Sequence, residues 1–204
     1  FPTRRSSDLI LEVFLPATGH TFREVHLAGE DFTFFWNDNE ENGVFSNWHR
    51  CSFTADGVVY CHVEQYMMAQ KAKYFRDTKT YTEILKTDQP WKCKQLGRKV
   101  SPFDSQKWDA VRYEIVKAGN RAKYEQNPEL KEALLKTGNS ILAEASPEDL
   151  IWGIGLDRKA AAETGPQKWP GQNLMGKILT ELRAEFRHTC SAKTDSGDTG
   201  HIGA

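Results

Sequence analysis

The segment Val63-Glu64-Gln65-Tyr66-Met67-Met68-Ala69-Gln70-Lys71 sets a carboxylate and an amine seven residues apart. On a helix both project from one side, with Met67 and Met68 between them. Their Cα atoms then lie about 10 Å apart along the axis, at a rise of about 1.5 Å per residue. That span does not require a direct salt bridge. It would let the two groups grip opposite ends of one reacting sugar. The same spacing also describes an ordinary solvated helix face, since any helix offers such pairs.

Five further features hold residue types that suit a ligand, each with a plainer alternative. Gly43-Val44-Phe45-Ser46-Asn47-Trp48 turns a polar loop into aromatics, or is simply a turn. Arg98 follows Gly97 on an expected loop, where an arginine can hold a phosphate bidentately or merely face solvent. Trp108, at the start of a long helix, is either a platform or core. Ile151-Trp152-Gly153-Ile154-Gly155-Leu156 carries two glycines, which permit close approach of backbone to a ligand. Gly171-Gln172-Asn173-Leu174-Met175-Gly176 opens the last helix, with Asn173 near its N-cap, an end that favours anions.

The elements that must position these residues follow from periodicity and turn chemistry. A short strand is expected near Ile10–Leu15, and aromatic, β-branched Asp31–Trp36 reads as another. A polar loop follows over Asn37–Gly43, and Ser52–Tyr60 forms a hairpin around Asp56-Gly57. Helices are expected over His62–Phe75 and Thr80–Thr87. A long one opens near Asp104, its apolar stripe running through Trp108, Val111, Ile115, Ala118 and Ala122. Asn127-Pro128 starts the next helix and Gly138 ends it. Ser146-Pro147 signals a further helical turn, residues 157–171 an irregular loop, and Asn173–Arg187 the final helix. The expectation is one α+β domain, helix-rich, with a small antiparallel sheet from the N-terminal half. The domain spans residues 10–188. Residues 1–9, Phe1-Pro-Thr-Arg-Arg-Ser-Ser-Asp-Leu9, resemble a translated sequencing adapter and are set aside. Residues 189–204 are small and polar and are expected to be disordered.

Bulk composition narrows the function classes. The 204 residues suit a single domain, and 39% hydrophobic with 27% charged residues is an ordinary globular mix. A formal net charge of −1 excludes bulk polyanion binding, so nucleic acid can be met only through a local patch. Six Trp, six Tyr and eleven Phe supply core, and also surfaces suited to stacking on a base. Cys51, Cys61, Cys93 and Cys190 lack the short spacing of zinc sites. Cys51 and Cys61 could meet across the hairpin, but four reduced thiols in a cytoplasmic protein is the favoured expectation, with a nuclear place open if the source is eukaryotic. No run of about 18 apolar residues predicts a membrane span.

In order and spacing together, these features resemble the NADAR (YbiA-like) family over about Phe32 to Arg187. The resemblance is carried by Phe35 and Trp36, then Gly43–Trp48, then Val63-Glu64-Gln65-Tyr66 through Gln70-Lys71. Gly97-Arg98, Trp108, Lys123–Leu130, Leu134–Gly138, Trp152-Gly153 and Gly171–Gly176 follow in register. Two positions depart from the pattern. Ile154 stands where some members carry an acid, as in a Trp-Gly-Ile-Gly-Leu subgroup, with the role of nearby Asp157 left open, and Gln65 stands where many carry histidine.

The resemblance implies cleavage of a bond between ribose C1 and an exocyclic amine. The substrate it favours is ADP-ribose attached to guanine, as a partner in single-stranded DNA or a fragment of it. Phosphoribosylamino-pyrimidine intermediates of riboflavin synthesis are the alternative, and a non-catalytic ADP-ribose reader a third, disfavoured by the presence of both Glu64 and Lys71. A glycosylamine can open to an imine, into which Lys71 can exchange to leave a Schiff base while Glu64 moves protons. No cofactor or metal is implied. Phe35, Trp36, Phe45, Ser46, Asn47, Tyr66, Arg98, Trp108, Trp152, Gly153 and Asn173 are the implied substrate-binding residues.

Overall fold

The computed structural model describes residues 31–195, with side-chain surroundings through Thr189. The expected strand near Ile10–Leu15, the first nine residues and residues 196–204 of the expected tail lie outside them. Among the described residues no helix is long and apolar enough to cross a membrane.

Strand β1 (Phe32–Phe35) is followed by a 3-10 turn at Gly43–Phe45 and by the hairpin β2 (Phe53–Ala55) and β3 (Val58–Tyr60). Asp56 and Gly57 both take positive φ, 49° and 75°, which fits a two-residue loop matched to strand twist. Helix α1 (Val63–Tyr74) starts where His62 Nδ1 accepts the Gln65 amide at 3.0 Å. Gln65 answers by accepting from the Cys61 amide at 2.8 Å, so each satisfies a backbone donor at the helix entry. Helices α2 (Thr78–Leu85), α3 (Pro90–Gly97), α4 (Ser105–Gln126) and α5 (Pro128–Lys136) follow. Then come β4 (Ile141–Glu144), α6 (Arg158–Thr164) and α7 (Leu174–Asp195).

The α+β, helix-rich architecture and its antiparallel hairpin are as the sequence implies. The structure adds a second two-stranded sheet, in which β4 pairs parallel with β1 in the register Phe32↔Ile141 to Phe35↔Glu144. That pairing joins segments more than a hundred residues apart, and local periodicity holds no trace of it. Helix α1 is the hub, packed against α2, α3 and α4, while α7 covers β4 and α4.

Several expected elements differ. Thr80–Thr87 begins two residues earlier, because Asp77 caps α2 through the Thr80 amide at 3.0 Å. The loop expected before Arg98 is helix α3, opened by Pro90 at a first-turn position where its missing N–H is harmless. After Ser146 the chain makes a single hydrogen-bonded turn, the Asp149 amide donating to the Ser146 carbonyl at 3.5 Å, and no helix continues from it. Asp149 Oδ1 instead takes the amides of Ile151 and Trp152 at 2.9 and 2.8 Å, which bends the chain into turns. Residues 157–171 are not wholly irregular, since Asp157 caps the alanine-rich α6 through the Ala160 amide at 2.9 Å. Helix α7 runs on to Asp195, past the Thr189 boundary expected for the tail.

The stripe expected on α4 is only partly right. Trp108 is buried, but Ala118 is exposed, and the deepest positions include Val116, Gly119, Asn120, Lys123 and Tyr124. Gly119 is there because the ring of Tyr66 fills the space a Cβ would need. Asn120 and Lys123 are inside because loop carbonyls and amides bond them, a circumstance that hydrophobic periodicity cannot register.

Candidate active site

Glu64, Met67, Met68 and Lys71 of α1 line one wall of a cavity of about 290 Å³. Lys94, Gly97 and Arg98 of α3 and its C-cap form the facing wall. The two helices come this close because a Cβ on Gly97 would overlap the Met68 side chain. Lys71 Nζ donates to the Gly97 carbonyl at 2.9 Å and lies 4.2 Å from the ring centre of Phe103 and 5.9 Å from that of Trp108. Burial lowers its pKa, while the charge of Glu64 works the other way. Lys71 and Glu64 form no salt bridge with each other, and both residues line the cavity.

Glu64 is 3% exposed, and its Oε1 has no hydrogen-bond partner. Burial pushes its carboxyl up to about 7, against the opposing pull of Lys94 and of a hydrogen bond from Trp48. Trp48 and Asn47 close the cavity from the loop after the 3-10 turn. That loop is strung from α1 and α4. Its Asn47 carbonyl accepts the Glu64 amide at 2.9 Å, and Lys123, fully buried, donates to the Val44 and Ser46 carbonyls at 2.7 and 3.1 Å. Asn120 donates to Asn47 Oδ1 at 3.1 Å. The acceptor of the Asn47 amide is thereby occupied, leaving its N–H₂ group as the donor available to the cavity.

The remaining wall is Glu144 at the end of β4, with Asp149, Ile151 and Trp152 from the turn that follows. Glu144 Oε2 is enclosed and unpartnered. Burial, then the charges of Asp149 and Glu64, push its carboxyl up to about 8, with Lys94 opposing. A second cavity of about 550 Å³ adjoins the first across Trp48, Lys94, Arg98 and Glu144, and extends to Trp36, Ser46 and Leu150. Trp36 is 39% and Leu150 54% exposed, so this lobe has apolar surface open to a flat ligand. Lys94 and Arg98, at the junction, have no salt-bridge partner among the described residues.

The fold therefore brings together Glu64, Lys71, Asn47, Arg98 and Trp152 in the first lobe, and Trp36, Ser46 and Arg98 in the second. It places the other expected binding residues elsewhere. Phe35 and Phe45 are core, edge-to-face at 6.0 Å. Tyr66 packs on Tyr60 and Phe53, and Trp108 lies behind Lys71 without reaching the lining. Gly153 and Asn173 are also off both walls. Asp157 serves α6 as its cap, and Ile154 is fully buried. Gln65, in the position of the family histidine, is spent on Cys61, Ile84 and Thr87. Sequence reasoning missed Lys94, Glu144 and Asp149. Lys94 sits on a helix it did not expect, and Glu144 on a strand visible only through its distant partner.

A profile of the NADAR domain family matches residues 34–187. The chain is 40% identical over 164 residues to N-glycosidase R617 of Acanthamoeba polyphaga mimivirus, covering 76% of this chain and 96% of that one. The NMR structure of the Escherichia coli protein YbiA superposes with a TM-score of 0.67 at 27% identity, over 88% of this chain and 95% of that chain. The riboflavin biosynthesis protein VVA0006 of Vibrio vulnificus is 29% identical over 154 residues, 76% of this chain but 38% of that protein.

Proposed function

The chain belongs to the NADAR family, and we propose on that premise that it is an N-glycosidase, hydrolysing the bond between ribose C1 and an exocyclic amine. Its substrate on this reading is ADP-ribose joined to a guanine base of DNA or of a DNA fragment. One observation carries the proposal: the Lys71 amine and the Glu64 carboxyl, unpaired with each other, face one cavity. An amine there can add to the C1 imine of an opened glycosylamine, and a carboxyl near pKa 7 can move the protons. The balance is a sugar–NHR bond plus water giving sugar–OH and RNH₂. The second lobe, with Trp36 for stacking and Lys94 and Arg98 at the junction for phosphate, supports the larger ADP-ribose over a single phosphoribosyl group. The relative named for riboflavin biosynthesis supports the phosphoribosylamino-pyrimidine as the second reading.

The two substrates are to be incubated with the protein side by side. The ADP-ribosylated guanine oligonucleotide should release ADP-ribose the faster. Borohydride added during turnover should trap a sugar adduct on Lys71. The absence of an adduct, together with an active Lys71→Ala variant, would rule out the covalent route. Free ADP-ribose should bind and raise the melting temperature. Arg98→Ala should weaken that binding more than Arg112→Ala, whose guanidinium is 2.7 Å from Asp109. Equal effects would remove Arg98 from the phosphate end.

A further inference from the structure

Two motifs prominent in the sequence, Trp152-Gly153 and Asn173-Leu174-Met175-Gly176, give the cavity a single indole between them. What they touch instead is the backbone of Glu144. Asn173 Oδ1 accepts the Glu144 amide at 3.2 Å, its Nδ2 donates to the Leu142 carbonyl at 2.9 Å, and its own amide donates to the Gly153 carbonyl at 3.0 Å. The Glu144 carbonyl accepts from the Ile154 amide at 2.9 Å. A Cβ on Gly153 would stand 2.9 Å from that carbonyl, tighter than real contacts allow. A Cβ on Gly176 would collide with the Leu142 carbonyl and the Asn173 side chain. Both glycines thus keep open the space in which β4 is clamped at Glu144.

A strand end could be clamped this way merely for packing. The side chain so held, however, is a carboxyl whose Oε2 is enclosed and unbonded, on the wall shared by both lobes. Buried polar atoms without partners are rare. Among the described residues four side-chain atoms are in that state, and two of them, Glu64 Oε1 and Glu144 Oε2, belong to residues lining this cavity. We propose that Glu144 is a second catalytic carboxyl, acting with Glu64 as an acid–base pair on the substrate, and that the Trp152-Gly153 and Asn173–Gly176 motifs are its mount.

The assignment rests on the N-glycosidase reading above and completes its proton traffic. Burial holds both carboxyls above the ordinary range, so near neutral pH the pair retains about one proton between them. Lys71 from α1, Lys94 and Arg98 from α3, and Glu148 and Asp149 from the turn are the other charged groups lining the two lobes. The protonated member gives its proton to the ring oxygen as the C1–O bond breaks and the exocyclic nitrogen forms C1=N. Lys71 Nζ adds to C1, a carboxylate takes one of its protons, and that proton passes to the amine as the C1–N bond to the base breaks. Water adds to the protonated lysine imine and gives one proton to the pair, and the proton of the new hydroxyl passes to Nζ as the C1–Nζ bond breaks. The sugar leaves as the aldehyde and recloses, and the pair again holds one proton.

Single-turnover rates of wild type, Glu144→Gln and Glu144→Asp are to be measured across pH 5–9 on the ADP-ribosylated guanine oligonucleotide and on the phosphoribosylamino-pyrimidine. Glu144→Gln should lose about a hundredfold or more and flatten the pH profile. Glu144→Asp should lose less and keep a profile of the wild-type shape. Both should bind free ADP-ribose within about threefold of wild type and melt no lower. A Glu144→Gln rate within tenfold of wild type, or equal losses in the two variants with the profile unmoved, overturns this assignment alone. A wild-type protein that cleaves neither compound overturns the N-glycosidase reading, and this assignment with it.

Discussion

Glu64 and Glu144 are kept in a condition that works against folding, and this has a signature in stability as well as in rate. In the unfolded chain a glutamate titrates near 4.5, whereas folded Glu64 titrates near 7. The folded state therefore holds the proton over a range where the unfolded state has released it. The stabilising contribution is full below about pH 4.5 and is lost as pH rises through about 7. For Glu144 the same loss extends to about 8. A shift of this size corresponds to a few kcal/mol, at about 1.4 kcal/mol per pH unit. Glu64→Gln should therefore raise the melting temperature at pH 8 by several degrees and leave it nearly unchanged at pH 4. The same variant should lower the cleavage rate by about 10²–10⁴. A loss under tenfold would reduce Glu64 to a positioning role. Calorimetry at the two pH values and single-turnover assays read both effects.

At the scale of elements, the loop bearing Asn47 and Trp48 depends on α4 through Lys123. Two loop carbonyls share that ammonium, and burial depresses its pKa to about 8. Lys123→Met removes both bonds but also relieves an unpaired charge inside the protein. Leaving a buried carbonyl unsatisfied costs about 1–3 kcal/mol, and the relief of desolvation opposes it. The melting temperature should thus move by only a few degrees. Amide exchange over residues 45–48 should nonetheless accelerate by about tenfold or more, and ADP-ribose should bind more weakly. Unchanged exchange would mean that Asn120 and the Glu64 amide hold the loop without Lys123.

For the whole molecule, a net charge of −1 leaves no general attraction for a polyanion. The cations available to a substrate phosphate in the two lobes are local, chiefly Lys94 and Arg98. Affinity should then reside in the ADP-ribose, and cleavage should slow only modestly as salt rises. The first lobe is an indentation lined by α1, α3 and the turns, the second by α3 and the turns without α1, and a guanine stacked in a duplex hides its exocyclic amine in the minor groove. Extruding it costs a few kcal/mol, so the single-stranded oligonucleotide should react faster than the duplex. A nucleoside conjugate should remain a substrate. A steep salt dependence, or a need for long duplex, would contradict this picture of recognition.

The sequence by itself determined the hairpin, the helices α1, α2, α4, α5 and α7, and the placement of a carboxyl and an amine on α1, but not α3, β4 or α6. Capping residues, the Asp56-Gly57 turn and helical spacing are read from neighbours along the chain, and the seven-residue interval is enough to put Glu64 and Lys71 on one side. Only the tertiary structure decided what they face. Glu144 reaches them because β4 pairs with β1, and Lys94 because Gly97 lets α3 approach α1. Phe35, Phe45, Tyr66 and Trp108 went to the core or behind the lysine, because a conspicuous aromatic reads the same in a motif whether it packs inward or meets a ligand. Polar Asn120 and Lys123 went inside because partners far along the chain satisfied them. Contacts between distant segments leave no periodicity behind, so the residues that complete this cavity became visible only when the chain had closed around it.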